Sequence, residues 1–332
     1  MKTNKQMSCF PLGPLDCALI PEFQPAYALY FSRYLSAFKA AGVDVWGITV
    51  QNEPQPQTGT LTYEGMWFPF PAELEFVAEY LGPQLAADHP GVKIFIFDHN
   101  QQDAAWYSAP ILADPIASKY VAGVAFHWYS GPDWGPLDEL SSAFPGVLLL
   151  PSEATVGRED RPDFFKPGAM VWDHGEYYGT FLINDLVHNS IGFIDWNILL
   201  DNHGGPDHGD PTGELCEGLI PCGSDAMLIA DTSVSPPVVY KQAFYWYMGH
   251  VSRFVPPGSV RIGAALERLG GGGNATTATP ILGVPFVTPQ GNTVLVLQNA
   301  QNTSELISVE DARVGYLGWF DMPPHSIVTL TW

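Results

Sequence analysis

The chain has 332 residues, 46% of them hydrophobic and 13% aromatic, which is enough apolar mass for a barrel-sized domain and a smaller companion. Its 35 acidic residues face 14 basic ones, a formal charge of −21 at pH 7, which argues against nucleic acid or an anionic membrane as charge-held partners. No apolar run reaches the ~20 residues of a membrane span, and Met1-Lys2-Thr3-Asn4 opens a polar segment rather than a signal peptide.

The chain begins irregularly, with Pro11, Pro14, Pro21 and Pro25 breaking any periodic pattern. Ala26–Ala41 then places Leu29, Tyr30, Tyr34, Leu35 and Phe38 at helical spacing, with Gly42 as its C-cap. Val45–Val50 is a β-branched core strand that ends in Gln51-Asn52-Glu53 and is stopped by Pro54. From Gln55 to Pro71 runs a loop with Tyr63, Trp67, Phe68 and Phe70, and aromatic loops after a barrel strand usually shape a cleft. Pro71–Ala87 is expected to be a helix, and Val92–Phe97 a strand ending in Asp98-His99. A short helix over Asp114–Tyr120 and a strand over Gly123–Phe126 follow, the strand leading into His127-Trp128-Tyr129.

After a helix over Pro136–Phe144, the apolar run from Val147 to Leu150 leads through Pro151-Ser152 to Glu153. The spacing predicts a helix over Trp172–Asn189, a strand over Gly192–Ile198 carrying Asp195-Trp196-Asn197, and a helix over Val239–His250. Beyond Val251 the pattern changes to alternating short strands, at Asn292–Leu297, Ser304–Val309 and Ser326–Trp332, the signature of a small β-sandwich. Two domains are expected, a catalytic one over 1–250 and a sandwich over 251–332.

Glu53 and Glu153 carry the chemistry. Each ends an apolar strand, and in a parallel α/β barrel the carboxyl ends of the strands face one another across the mouth. Glycoside hydrolysis needs two such carboxyls, one to protonate the leaving oxygen and one to attack or to activate water. His127 leaves its strand at the same edge, as a candidate for lining the cleft. The cysteines Cys9, Cys17, Cys216 and Cys222 form no CxxC, so zinc is not expected. Their short separations in Pro/Gly-rich loops suit local disulfides, with free thiols as the alternative. The sequons at Asn274 and Asn302 also suit a secretory environment.

Five segments together resemble glycoside hydrolase family 30, of the glucosylceramidase (lysosomal acid β-glucosidase) type. They are Ile48–Pro54, Phe126–Tyr129, Pro151–Gly157, Asp195–Pro206 and Phe244–Ile262, in the family's order and spacing. The resemblance implies a (β/α)8 TIM barrel whose fourth to eighth strands are present, the first to third being absent, plus a C-terminal all-β sandwich. It implies a retaining β-glucosidase acting on glucosylceramide, without metal or cofactor. Glu53 would be the general acid/base and Glu153 the nucleophile. Asn52 would bind the sugar 2-hydroxyl, His127 and Tyr129 would border the nucleophile, and Trp196 and Asn197 would line the sugar site. The aspartate and tryptophan that the family's first three strands contribute have no counterpart here.

The loop Gly209–Asp231, at the cleft edge, follows no family pattern, so other β-glycosides (β-1,6-glucan, xylan or steryl glucosides) stand as alternative substrates. An inactive fragment stands as the non-enzymatic alternative. A lipid or activator-protein surface, and a lysosomal, vacuolar or secreted location, are further expectations of the resemblance.

Overall fold

A computed structural model describes residues 18–55, 65–156, 171–201, 225–264 and 281–332. They fall into two compact units, Met1–Ala154 with His188–Trp196, and Thr155–Val187 with Asn197–Trp332.

The first unit is built on four parallel strands in the order β1 (Gly47–Thr49), β2 (Lys93–Asn100), β3 (Val121–His127) and β4 (Leu148–Glu153). Helix α1 (Gln24–Ala40) precedes them, and α2 (Phe70–Phe76), α3 (Gly82–Asp88), α4 (Ala104–Ala113) and α5 (Gly135–Ala143) lie between them in the chain. Ile94, Ile96, Val124, Phe126 and Leu149 form the outer layer with helix residues Leu35, Phe76, Leu81, Ile111, Leu137 and Leu140. Phe95, Ala125 and Leu150 pack together on the other face. That inner face is tight at Gly123, where a Cβ would sit 2.2 Å from the Leu148 carbonyl oxygen and 2.7 Å from the Phe95 ring. The segment after α6 (Trp172–Val187) runs alongside β4, with Ile191, Ile194 and Trp196 amides donating to the carbonyls of Leu149, Pro151 and Ala154. The expected strand over Gly192–Ile198 is therefore an extended, irregular partner of β4, bridged regularly at Leu149 and Ser190.

The second unit contains α6 and a three-stranded sheet of β5 (Leu199–Asp201), β6 (Leu228–Asp231) and β7 (Val238–Lys241). It also contains α7 (Ala243–Ser252) and two antiparallel sheets. One has the order β13 (Ser326–Thr331), β10 (Thr293–Asn299), β9 (Ile281–Val287), β8 (Val260–Arg261); the other pairs β11 (Glu305–Asp311) with β12 (Gly315–Met322). Helix α6 seats on α7 and β10 through Gly179, whose absent side chain leaves room for Tyr247 and Gln298.

The α/β barrel-type sheet and the C-terminal sandwich agree with expectation, and several local elements do not. The Val239 helix begins only at Ala243, because Val238–Lys241 pairs with β6 as β7. Helix α4 was not anticipated, since Pro110 lies inside it. Its buried face of Ala104, Ala105, Tyr107, Ser108 and Ile111 outweighs a proline penalty of ~3 kcal/mol. Only a 3₁₀ turn, Ala117–Lys119, occupies the expected Asp114–Tyr120 helix. Phe68 and Phe70 pack against Phe76 and Tyr107 in the core rather than lining a cleft. Strands β9 and β12 escape a periodicity reading because Gly283 with Pro285, and Gly315 with Gly318, interrupt them. The cysteines, Tyr63 and Asn274 lie outside the described residues.

Strand β2 changes course near its end. Phe97 and Asp98 have left-handed backbones (φ 77° and 58°), and the register with β3 slips between Phe97 and His99. Ile96 and Phe97 both join the outer layer, so Asp98 turns inward where strict alternation would send it out. The amide of Phe97 is met by the carboxyl of Glu73, fully buried on α2. Burial pushes that carboxyl up to about 8, against bonds from Tyr107 and Phe97 that lower it. An acid raised on folding stabilises the fold below pH 4.5 and loses that contribution as pH climbs through about 8. Glu73→Gln should therefore flatten the fall of stability across this window, read as denaturation midpoints at its two ends. An unchanged slope would contradict the assignment.

Candidate active site

Four strand ends each contribute one polar side chain to a layer above Phe95, Ala125 and Leu150: Thr49, Asp98, His127 and Ser152. Asp98 is the hub, only 6% exposed. Its Oδ2 accepts from Thr49 Oγ1 at 2.6 Å, and its Oδ1 accepts from Ser152 Oγ at 2.5 Å and faces His127 Nε2 at 3.2 Å. A buried carboxylate needs such donors on every side.

His127, fully buried, points its other nitrogen at both glutamates. Its Nδ1 lies 3.4 Å from Glu53 Oε1 and 3.8 Å from Glu153 Oε1. Burial alone would drive the ring neutral, but the Asp98 and Glu53 contacts and the Glu153 charge outweigh it, raising its pKa to about 9. Carboxylates face both ring nitrogens, which favours the doubly protonated ring.

Glu153 ends β4, where it pairs in register with His127. Tyr129 Oη donates to its Oε1 at 3.1 Å. Burial pushes the Glu153 carboxyl up; His127 and the Tyr129 bond oppose this, and the Glu53 and Asp98 charges add to it. Burial and the Glu153 charge also keep the Tyr129 phenol protonated, well above its ordinary value. Glu53 follows β1 in a left-handed conformation (φ 45°) with its amide bonded to the Asp98 carbonyl at 2.9 Å. Left-handed backbone at Glu53, Phe97 and Asp98 in one place is strain held by its surroundings, as at many catalytic sites.

The structure thus brings together Glu53, Glu153, His127 and Tyr129. Trp196 is tied beside β4 by its amide, its side chain 56% exposed. Asn52 is exposed and lines a groove of about 420 Å³ with Tyr27, Tyr30, Tyr34, Thr49 and Gln51, beside β1. Asn197 belongs to the second unit, with its Nδ2 buried. Sequence reasoning missed Thr49, Asp98, His99 and Ser152. Their signal was position alone, at the same strand edge as the glutamates.

Ligand atoms of Glu53, His99 and His127 all lie within 4.8 Å of one another, a span a metal could bridge. The same closeness lets these three titratable groups share protons.

Two glutamates at the carboxyl ends of parallel strands, both facing one buried ring, are the kind of carboxyl pair that glycoside hydrolysis uses. The chain belongs to glycosyl hydrolase family 30. The family's TIM-barrel domain matches residues 1–255 and its beta sandwich domain residues 258–330. The chain is 29% identical to the lysosomal acid glucosylceramidase of Mus musculus, over 93% of this chain and 56% of that protein. It is 25% identical to the endo-1,6-beta-D-glucanase neg1 of Aspergillus fumigatus, over 85% of this chain and 51% of that protein. Among solved structures, SrfJ from Salmonella typhimurium superposes with a TM-score of 0.83 at 26% identity, covering 100% of this chain and 66% of SrfJ. The endo-beta1,6-glucanase BT3312 gives 0.77 at 28%, over 96% and 66%. The chain spans little more than half the length of the curated relatives it matches.

Replacing Asp98 by Asn removes the charge that holds His127 protonated. Asp98→Asn should lower the His127 titration midpoint by about 1–3 units, followed by NMR of the ring, and should cut turnover in parallel. A midpoint left near 9 in the variant would show that Asp98 is not the dominant partner.

Proposed function

We propose that the chain carries the catalytic centre of a retaining β-glucosidase that releases glucose from glucosylceramide. The observation that supports this is the pair Glu53 and Glu153, whose Oε1 atoms lie 3.4 Å and 3.8 Å from His127 Nδ1. Both identity to a glucosylceramidase and the five matching segments support the substrate.

In the first step Glu153 attacks the anomeric carbon, and Glu53 gives its proton to the departing oxygen, which leaves with the bond's electron pair. A glycosyl ester on Glu153 results. In the second step Glu53 takes a proton from water, whose oxygen attacks the same carbon and frees Glu153. Tyr129 occupies Oε1 of Glu153, leaving the other oxygen for attack. Burial of Glu153 raises its basicity, and His127 with Tyr129 keeps the charged form accessible. When the ester forms, the Glu153 charge disappears, which favours loss of the Glu53 proton in time for the second step.

Identity to endo-1,6-glucanases supports a second reading, hydrolysis of β-1,6-glucan by the same pair. Release of glucose from glucosylceramide and cleavage of a β-1,6-glucan, assayed side by side, decide between them. The acidic balance and the cysteine pairs support an acidic, oxidising setting such as a lysosome, a vacuole or the cell exterior.

Glu153→Gln is expected to abolish turnover. Glu153→Gly is expected to regain it with azide on an activated β-glucoside, giving the α-glucosyl azide. A β-configured azide, or none, would remove Glu153 from the nucleophile's role.

A further inference from the structure

The β2 bulge delivers a second ring to Glu53. His99 is buried, 5% exposed, with Nδ1 3.9 Å from Glu53 Oε1 and Nε2 3.1 Å from the carbonyl oxygen of Gln55. A carbonyl only accepts, so Nε2 carries the hydrogen and Nδ1, in the neutral ring, holds the lone pair. Burial does keep the ring neutral, its pKa below the usual value; Glu53, the Gln55 carbonyl and Asp103 pull the other way, and His127 adds to the lowering. Nδ1 itself is buried and has no hydrogen-bond partner among the described residues.

Glu53 therefore sits between two rings of opposite character. His127, from β3, presents an N–H and favours the carboxylate. His99, from β2, presents a lone pair, which repels a carboxylate and can accept from a carboxylic acid. Among the described residues, the charged groups that act on these rings also include Glu153 on β4, Asp98 within β2 and Asp103 just after it.

We propose that His99 is a positioning residue for Glu53: its Nδ1 lone pair, 3.9 Å from Oε1, disfavours the carboxylate and so presents Glu53 as an acid in the first step. This rests on the reading of Glu53 as the general acid/base. His99 gains and loses no proton in either step; it biases which form of Glu53 meets the substrate.

The test compares kcat/KM on two β-glucosides of one sugar, phenyl and 2,4-dinitrophenyl. The second leaving group departs without a proton, so a residue acting through the acid matters only for the first. In His99→Leu, kcat/KM on the phenyl glucoside should fall about 10-fold, with a much smaller loss on the dinitrophenyl glucoside. The alkaline limb of the phenyl profile should move to lower pH. His99→Asn, whose side-chain oxygen can stand where Nδ1 stands, should restore most of the loss. His99→Ala carries the same expectation if the leucine variant does not fold.

Equal losses on both substrates would mean a structural role only, and no loss on either would mean no role; each overturns the proposal. Glu53→Gln in the same assay separates the two levels of the argument. If it shows the leaving-group split and His99→Leu does not, this proposal alone fails. If it shows no split, the acid/base reading fails first.

Discussion

Asp98 accepts from Thr49 and Ser152 and pairs with His127, so one buried carboxylate ties together the ends of all four parallel strands. Its backbone carbonyl also fixes the amide of Glu53. The placement of both glutamates follows from this hub. His127 is held by Asp98 on one nitrogen and reaches Glu53 and Glu153 with the other, while Ser152 is the residue before Glu153. The hub in turn exists because β2 bulges at Phe97, sending two successive side chains outward and Asp98 in.

Charge balance explains why such a layer is stable and useful. An isolated charge in this position would be driven neutral by its loss of water. An opposite charge at 4 Å is worth about 4 kcal/mol at an effective dielectric of 20. Several carboxylates around one imidazolium can therefore outweigh the cost of burying it. The same cation lets two glutamates share a small volume without both being forced to protonate. Their surroundings differ: Glu153 takes a phenol hydrogen bond, and Glu53 faces the Nδ1 atoms of two rings.

Much of the site was legible because its main groups end apolar runs. Glu53 and Glu153 stood out as carboxylates where apolar strands stop, and His127 as a polar residue leaving another strand; Tyr129 came through the family resemblance. Asp98 was not legible as a hub. Alternation along Val92–Phe97 would send it outward, and nothing in a run of β-branched and aromatic residues announces left-handed Phe97 and Asp98. His99 beside it read as one member of an isolated pair for the same reason. In the fold, helices with clean periodicity, such as α1 and α6, were read nearly to their ends. Those punctuated by proline or glycine, such as α4, β9 and β12, were not, since tertiary burial there overrides local preference.

The most direct test of this account is intact mass of the chain after incubation with a β-glucose-configured cyclophellitol epoxide, followed by peptide mapping. The account predicts one adduct per chain, on Glu153, and its loss in Glu153→Gln. An adduct on a different residue, or none under conditions that label a longer relative, would contradict the claim that these strand ends form a working site.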